Sequence, residues 1–515
     1  MGKLKSIVEK QKTIVNLLSA IMAYGLSVVI NFFLSPYITE TLGVEANGFV
    51  TLANQVVGYV SLVTVALNSM ASRFVSVHLM NKEEQKAKGY FSSVTIANIF
   101  IGVILFIPLV ICSLNVEKLF SVPSDLVDDA VLLFILVSVN FVVGIITNIY
   151  SVSTFVVNKL YLSTCRNIEG NLLRCGALLL MYTMLPPKMY YVTLSVIIHT
   201  VYIVVWNVHY TKKYTPQLKI KMQYFKLSYC IELIKSGAWN LLGSLNSVLN
   251  TGLDLLLCNI FIDPVSMGVL SVSKIFPTAI STMINSVSGA FGPEMTQKYA
   301  EGDFNGFTKT ILKSVKLIGS VVNIPIVVLI AMGKQFYSVW QPTLDETELF
   351  WLSLLAIAGV VVSGSTACVF GTFTVINKLK FHSITTLLFG VFNAVIVIVA
   401  LSISTENGVY IIAGTSTILT IIRNYLLTFP YAARCLKQKW FVFHKASLLS
   451  IVAAAVSTAC SYLAVRLIDI NGWFTVVIGA GICAVVTVII SALILFTNEE
   501  KKQYINIIIK RLKRA

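Results

Sequence analysis

Charged side chains are scarce in this chain. Only 12% of its 515 residues are Asp, Glu, Lys or Arg, while 56% are hydrophobic and the mean hydropathy is +0.82. A soluble domain carries about 25% charged residues, so this composition excludes one. The apolar residues fall in runs near the length that a spanning helix needs. They predict an all-α polytopic membrane protein with about fourteen transmembrane helices.

The groups that carry enzyme chemistry are missing as well. No G-x-x-x-x-G-K-[ST] loop is present to hold nucleotide phosphates, which excludes an ATPase of that type. The five histidines and nine cysteines have neither metal-ligand spacing nor the pattern of a disulfide framework. Paired carboxylates, a nucleophile elbow and a hydrolytic triad are absent too. We therefore expect no enzyme activity, no catalytic residue and no metal, but transport driven by something other than ATP bound here.

The positive charges are unevenly distributed. The net charge is +16, and Lys and Arg cluster in alternate loops while the opposite loops are mainly acidic. This distribution follows the positive-inside rule and predicts that both termini are cytoplasmic. We expect the basic C-terminal tail to contact membrane lipid, and we expect no nucleic-acid partner. The main basic clusters are Lys3/Lys5/Lys10/Lys12, Lys82/Lys86/Lys88, Lys212/Lys213/Lys219/Lys221/Lys226 and Arg434/Lys437/Lys439/Lys445.

An internal repeat runs through the chain. Aligning Gly48 with Gly268, an offset of 220 residues, also aligns Glu83 with Asp303. Further along, FVVNKL at Phe155–Leu160 matches TVINKL at Thr374–Leu379 with an offset of 219. Two parallel copies of a six-helix half explain both matches. The predicted domains are an N-terminal six-helix lobe at 1–209, a basic cytoplasmic linker at 210–235, a C-terminal six-helix lobe at 236–434, two additional transmembrane helices at 435–498 and a basic cytoplasmic tail at 499–515.

The hairpin at Lys235–Pro293 carries two charges deep within apolar runs. Asp254 lies ten residues before Pro264 and Lys274 ten residues after it, so both are predicted about 15 Å from the outer end, near the membrane midplane. A charge at that depth costs a few kcal/mol and usually pairs or faces water. We expect Asp254 either to pair with Lys274 or to bind a coupling proton or sodium ion. A structural role in holding helices together is the alternative.

Other polar residues lie within the predicted spans. Arg423 is a third buried charge, whereas Arg73 and Arg174 are predicted nearer the cytoplasmic boundary, where snorkelling is the alternative explanation. Asn31 and Asn250 belong to predicted polar faces of the first and seventh spans, at which hydrogen bonds between helices are the alternative to substrate contact. A single histidine in the sixth span, His199, is interpreted as a helix-packing residue.

Several stretches resemble the oligosaccharidyl-lipid flippases of the multidrug/oligosaccharidyl-lipid/polysaccharide exporter superfamily. They are SGAWNLLGSLNSVLNTGLDLLLCNIFI at Ser236–Ile262, MGVLSVSKIFP at Met267–Pro277, FGPEMTQKYAEGD at Phe291–Asp303, EKLFSVPSDLVDDA at Glu117–Ala130 and RNYLLTFPYAARCL at Arg423–Leu436. The resemblance implies two pseudo-symmetric six-helix bundles around a central cavity, plus two C-terminal helices. It also implies flipping of a polyprenyl-pyrophosphate-linked oligosaccharide, such as an O-antigen or capsule repeat unit, across the bacterial cytoplasmic (inner) membrane by alternating access.

The expected cargo is anionic, and the buried cations suit it. A pyrophosphate needs cationic partners when it leaves water, so Lys274 and Arg423 are expected to bind it, helped by Arg73 and Arg174. Glycan-assembly enzymes are the expected protein partners. The nearest alternative is an ion-coupled multidrug exporter of the same superfamily, which two buried cations against one acid disfavour. A glycan polymerase or ligase would be expected to have a large outer loop, and the outer loops of this chain are short.

Overall fold

The computed structural model describes residues 22, 25–26, 28–30, 32–157, 159–289, 291–365, 367–376 and 378–501. Over these residues the chain forms helices and turns and no β-strand. It separates by packing into two compact units, Met1–Gly268 (unit 1) and Val269–Ala515 (unit 2). Asn31 and the tail from 502 onward lie outside the described residues. The predicted domain boundaries stay predictions.

Unit 1 consists of long apolar helices joined by short turns. In it α2 packs against α3 and α9, α3 against α5, and α7 against α8. Short 3-10 turns at Asn148–Ser151 and Met222–Tyr224 and a π-turn at Val248–Gly252 interrupt the series. The helices are α1 (32–42), α2 (Val44–Met80), α3 (Glu84–Leu114), α4 (Val116–Leu119), α5 (Val127–Thr147), α6 (Val152–Val156), α7 (Leu160–Met184), α8 (Tyr190–Tyr214), α9 (Leu227–Ser247), α10 (Asp254–Phe261) and the first part of α11 (Pro264–Ser273).

Unit 2 is organised around one long helix, α14. This helix packs against α15, α20 and α21, so the last two helices of the described chain belong to the core of this unit. A second π-turn, Asn424–Thr428, joins α18 to α19. The helices are α12 (Ile275–Gly289), α13 (Gly292–Ala300), α14 (Phe304–Trp340), α15 (Glu346–Ser365), α16 (Ala367–Val375), α17 (Leu379–Ile403), α18 (Gly408–Arg423), α19 (Phe429–Cys435), α20 (Val442–Val465) and α21 (Trp473–Leu495).

The described part of the chain contains ten helical segments long and apolar enough to cross a membrane, and a bent pair, Glu346–Val362 with Ala367–Val375, raises the number to eleven. Helix α7 is also 25 residues long but carries the charged side chains of Arg166, Glu169 and Arg174. The first predicted span begins before the described residues. The protein is therefore an all-α polytopic membrane protein, and the count of fourteen spans stays a prediction.

The two units share the geometry of a turn that the repeat aligns. Lys82 and Gly302 both have positive φ, 61° and 71°, which places them in the left-handed region. The next residues, Glu83 and Asp303, are the N-caps of α3 and α14. The duplicated sequence has therefore kept the chain reversal that starts its third helix.

A second aligned position lies at the matching NKL motifs. Lys159 and Lys378 are the N-caps of α7 and α17, with φ of −122° and −119° and ψ of 47° and 44°. Both helices then continue for 25 residues. The fifth helix of each copy thus begins at the aligned residue and has the same length in both units.

The first pair of glycines in the repeat makes a close helix contact. A Cβ on Gly48 would lie 3.0 Å from the Cα of Gly268, and a Cβ on Gly268 would lie 2.3 Å from the carbonyl oxygen of Val44. Only glycine allows two helix backbones to approach this closely. The contact joins α2 to the beginning of α11.

Candidate functional site

Asp254 stands at a break in its helix. The π-turn Val248–Gly252 ends the preceding helix and α10 begins at Asp254. The Tyr59 hydroxyl of α2 donates to the carbonyl of Gly252, and Tyr59 also interacts electrostatically with Asp254. π-Turns are rare and occur often at functional sites, since the inserted residue redirects the side chains that follow. Asp254 is only 3% exposed, so the turn directs a carboxylate into the interior of unit 1.

In the sequence, Asn240, Ser247, Asn250 and Asp254 recur at helical spacing and predict one polar face along the seventh span, which this π-turn interrupts. Asn240 and Ser247, before the turn, are exposed, whereas Asp254 after it is buried. The extra residue in the turn rotates the second helical segment relative to the first. The sequence analysis assumed a constant helical spacing and therefore did not include this rotation. The side chain of Asn250 lies outside the described set. The pairing of Asp254 with Lys274 stays a prediction.

Lys274 also stands at a helix break, between α11 and α12. Pro277 has no N–H, so the carbonyl of Ser273 lacks its usual donor one turn later. The hydroxyl of Ser353 replaces that donor at 2.9 Å, and the Tyr337 hydroxyl lies 2.5 Å from Ser353. Ser353 and Tyr337 are both fully buried. The break at Lys274 is therefore stabilised by a buried pair of hydroxyl groups in unit 2.

Arg423 and His382 form a basic pair within unit 2. Arg423 ends α18 just before the second π-turn, and His382 of α17 interacts with it electrostatically. The ring of His382 stacks on Phe370 and Phe373, with centroid distances of 5.8 and 4.8 Å. Arg423 Nε and His382 Nδ1 are buried and have no hydrogen-bond partner among the described residues. No described carboxylate interacts electrostatically with either group.

Unit 1 contains a second basic pair. Arg174 of α7 interacts electrostatically with His199 of α8, and Arg174 Nε and His199 Nε2 are likewise buried without a partner in the described chain. Gly170 lets the histidine lie against α7, because a Cβ there would be 2.7 Å from His199 Cδ2. Arg174 lies fourteen residues after the start of α7 and ten before its end. The structure places Arg174 in the middle of α7, and its predicted depth near the cytoplasmic boundary stays a prediction.

Arg166, on the same helix, has partners for its Nε and Nη1 groups. Its Nη1 donates to Glu169 at 2.5 Å and its Nε donates to the Tyr210 hydroxyl at 3.2 Å. Its guanidinium carbon lies 3.8 Å from the ring centre of Trp206, and the Tyr202 hydroxyl also donates to Glu169. An arginine held in this way stabilises the packing of α7 on α8 and has little capacity left for a ligand.

Arg73 joins neither basic pair. It is exposed on α2, seven residues before the helix ends, and makes no ion pair or hydrogen bond with the described residues. His382 was missed by the sequence analysis, and His199 was interpreted as packing. A lone histidine in an apolar run carries no motif, and each of these two gains significance only from an arginine on the neighbouring helix.

The two basic pairs define what the site can do chemically. In the described chain they supply every buried Arg or His side-chain nitrogen that lacks a hydrogen-bond partner, one pair in each unit. A guanidinium is permanently charged and its planar fork fits phosphate oxygens. A buried cation without an acid is costly unless an anion joins it. The described residues hold no group of three or more His, Cys, Asp or Glu that could bind a metal ion.

Comparison with known sequences identifies a family and a full-length relative. The sequence model of the family described as "Polysaccharide biosynthesis protein" matches residues 10–298. The uncharacterized membrane protein EpsK of Bacillus subtilis (strain 168) is 28% identical over 505 residues, which cover 98% of this chain and 99% of that protein.

Solved structures share the fold at low sequence identity. An inward-facing multidrug resistance MATE family transporter of the MOP superfamily superimposes with a TM-score of 0.67 at 13% identity, over 82% of this chain and 99% of that chain. The lipid II flippase MurJ in an inward closed conformation gives a TM-score of 0.63 at 15% identity, over 95% of this chain and 98% of that chain. The fold is thus that of transporters and flippases.

Proposed function

Since this chain belongs to the polysaccharide biosynthesis protein family, we propose that it flips a polyprenyl-pyrophosphate-linked oligosaccharide across the bacterial cytoplasmic membrane by alternating access. Both termini lie in the cytoplasm in this proposal, and movement of a proton or sodium ion drives the transport. The chain catalyses no covalent step. Its partners are the lipid-linked substrate, membrane lipid and the enzymes that assemble the glycan.

The observation that supports an anionic cargo is the basic pair in unit 2. Arg423 and His382 are neighbours, each has a buried nitrogen without a partner among the described residues, and no described acid neutralises them. Such a site repels a cation and attracts a phosphate, to which Arg donates two parallel hydrogen bonds. Lys274 contributes a further positive charge at the helix break held by Ser353. In this proposal the pyrophosphate binds Arg423 and Lys274, with Arg73 and Arg174 as further cationic contacts.

Asp254 is the proposed ion-coupling residue. It is a buried carboxylate at the start of α10, directly after a π-turn, and carboxylates inside membranes commonly bind or release coupling ions. Pairing of Asp254 with Lys274 in the empty state would let an arriving pyrophosphate compete for the lysine. Asn31 and Asn250 are proposed to contact sugar hydroxyls of the cargo.

A second candidate function is export of drugs, which the likeness to a MATE transporter favours. A cationic drug would need acidic groups, and the basic pairs make that cargo the weaker proposal. The two functions give different outcomes in one experiment.

The test is rescue of surface glycan in a bacterial host that lacks its own flippase. Arg423→Gln, Lys274→Gln, Asp254→Asn and the double variant Asp254→Asn/Lys274→Gln are compared with wild type at equal membrane abundance. Arg466→Gln is the matched control, because Arg466 is exposed and, among the described residues, its guanidinium lies over the Tyr462 ring at 5.3 Å without an ion pair. We expect Arg423→Gln to reduce surface glycan at least about tenfold and lipid-linked units to accumulate inside, since a charge-assisted hydrogen bond contributes about 1.5–3 kcal/mol.

Normal export by both Arg423→Gln and Lys274→Gln would contradict the assigned cations. If wild type rescues no glycan but lowers drug accumulation, the exporter function replaces the flippase function.

A further inference from the structure

The Arg174/His199 pair lies wholly within unit 1 and has the features of a binding site in its own right. We propose that these two residues form a second oxyanion site, which binds a phosphate group independently of the Arg423/His382 pair. Its residues lie on α7 and α8, the fifth and sixth helices of the first copy. The site deepens the proposed function by adding a separate phosphate contact for the same cargo.

The first support is the direction in which Arg174 points. Leu172 and Leu180 are 54% and 58% exposed and mark the outer face of α7, while Leu178 is fully buried. At about 100° per residue, Arg174 lies about 160° from the middle of that exposed face. The arginine therefore projects into the interior of unit 1, where a long cation cannot reach the membrane surface by snorkelling along the outside of the helix.

His199 has the matching direction on α8. Val201 and Val205 are 49% and 60% exposed, and His199 lies about 140° around the helix from them. Ser195, one turn earlier on the same side, is fully buried. Gly170 brings the imidazole against α7, so both basic groups face the space between the two helices.

The second support is that the nearest acid on α7 is already engaged. Glu169 accepts from Arg166 at 2.5 Å and from the Tyr202 hydroxyl. No described carboxylate interacts electrostatically with Arg174 or His199. The Nε of Arg166 thus has a partner, whereas the buried Nε of Arg174, eight residues later on the same helix, lacks one among the described residues. The difference indicates that the partner of Arg174 is a ligand.

The third support is the chemistry of the two groups together. Guanidinium donates through a planar fork and imidazole through a single N–H, which gives donors from two directions toward one set of phosphate oxygens. Binding an oxyanion would neutralise Arg174 and satisfy the buried nitrogens of both residues. The phosphate could belong to a lipid head group or be free in solution, and the two sources are separable by experiment.

The experiment measures binding to the purified full-length chain in lipid nanodiscs. All variants are made in a background protein that carries Arg423→Gln and His382→Gln, so that the basic pair of unit 2 cannot bind the probe. The probes are inorganic pyrophosphate and geranyl pyrophosphate, with sulfate at equal ionic strength as the reference anion. Into this background we add Arg174→Gln, Arg174→Lys or His199→Gln. Matched controls are Arg166→Gln on the same helix as Arg174 and His209→Gln, which is exposed on the same helix as His199.

We expect the background protein to bind one equivalent of probe, and Arg174→Gln to weaken binding at least about tenfold. His199→Gln should weaken it about threefold to tenfold, and Arg174→Lys should lie between wild type and Arg174→Gln because it keeps the charge but loses the fork. The two controls should stay within about twofold, as neither residue belongs to the pair. Tighter binding of geranyl pyrophosphate than of pyrophosphate assigns the site to a lipid head group, and equal binding assigns it to free phosphate.

The proposal is overturned if the background protein binds neither probe, or if Arg174→Gln and His199→Gln both keep the background affinity. Size-exclusion profiles verify folding of each variant, and Arg174→Lys serves if Arg174→Gln aggregates. Binding is measured separately from transport. If the wild-type chain fails to rescue surface glycan but the Arg174/His199 site still binds the probe, the flippase function is contradicted and the proposed oxyanion site is not.

Discussion

Unit 1 and unit 2 bury the same two residue types between their fifth and sixth helices but exchange them between the helices. In unit 1 the arginine is on α7 and the histidine on α8, whereas in unit 2 the histidine is on α17 and the arginine on α18. The helix starts that surround them, at Lys159 and Lys378, have nearly the same backbone angles. The duplication has therefore preserved backbone turns and helix lengths more strictly than the positions of its charged side chains.

The units also differ in how their helices approach one another. In unit 1, Gly237 of α9 meets a backbone atom, because a Cβ on it would lie 2.0 Å from the carbonyl oxygen of Ala66. In unit 2, a Cβ on Gly333 would lie 2.7 Å from a ring carbon of Phe350, which is a side chain that can move. Contact with a backbone carbonyl leaves no room for adjustment, so we expect Gly237 in unit 1 to be less tolerant of added volume than Gly333 in unit 2.

The largest effect should come from Gly237→Ala. We expect it to lower the free energy of unfolding by about 3 kcal/mol or more, because α2 and α9 must separate, while Gly333→Ala should cost about 1 kcal/mol. Thermal unfolding of both variants, followed by tryptophan fluorescence in the same detergent, compares them. Equal tolerance of the two substitutions would remove the distinction between the units.

Helix breaks offer the next comparison, since each unit caps a free carbonyl with a hydroxyl from a distant helix. Ser353→Ala leaves both the Ser273 carbonyl and the Tyr337 hydroxyl without a partner, which we expect to cost about 2–3 kcal/mol. Tyr59→Phe removes the hydrogen bond to the Gly252 carbonyl and should cost about 1 kcal/mol. The measurement is the unfolding midpoint of each variant.

Pro277→Ala supplies the control for this prediction. It restores an N–H that can reach the Ser273 carbonyl, so the double variant Ser353→Ala/Pro277→Ala should recover part of the loss. No recovery would mean that the proline does not cause the break.

Arginines with and without partners should respond in opposite directions. Arg166→Met removes the ion pair with Glu169 and the hydrogen bond to the Tyr210 hydroxyl, and should destabilise the protein by about 1–2 kcal/mol. Arg174→Met and Arg423→Met remove cations that the described residues do not neutralise, and should raise the unfolding midpoint in the absence of ligand. Differential scanning fluorimetry in anion-poor buffer measures all three. A lowered midpoint for Arg174→Met would indicate that this arginine is structural.

The smallest effect concerns the two aligned helix caps. Asp303 accepts from the Gly306 N–H, so Asp303→Ala should cost about 1 kcal/mol. Glu83 makes no such cap bond, and Glu83→Gln should have the smaller effect. Hydrogen bonds from His78 and Lys86 hold the pKa of Glu83 below its ordinary value of 4.5. Its contribution is therefore present above pH 4.5 and is lost as the pH falls through the lowered pKa, which thermal scans from pH 7 to pH 3 can measure against Glu83→Gln.

The sequence alone predicted the helical class, the duplication and its aligned turns, because hydropathy and local motifs determine these features directly. It predicted Arg423 as a buried charge but not His382 beside it, since proximity across α17 and α18 depends on packing. It did not mark the start of α7 at Leu160, because the polar first half of this helix does not stand out as a span. The π-turn before Asp254 was not predicted either, because the sequence analysis assumed one constant helical spacing along the seventh span.

The contact of Gly268 with Val44 and Gly48 has a consequence for the order in which the chain is made. Unit 1 is complete only when α11 packs on α2, across more than 200 residues of intervening chain. Contacts over such a separation form late and slowly. During synthesis, packing of the first copy is therefore completed only after the ribosome has produced the first hairpin of the second copy.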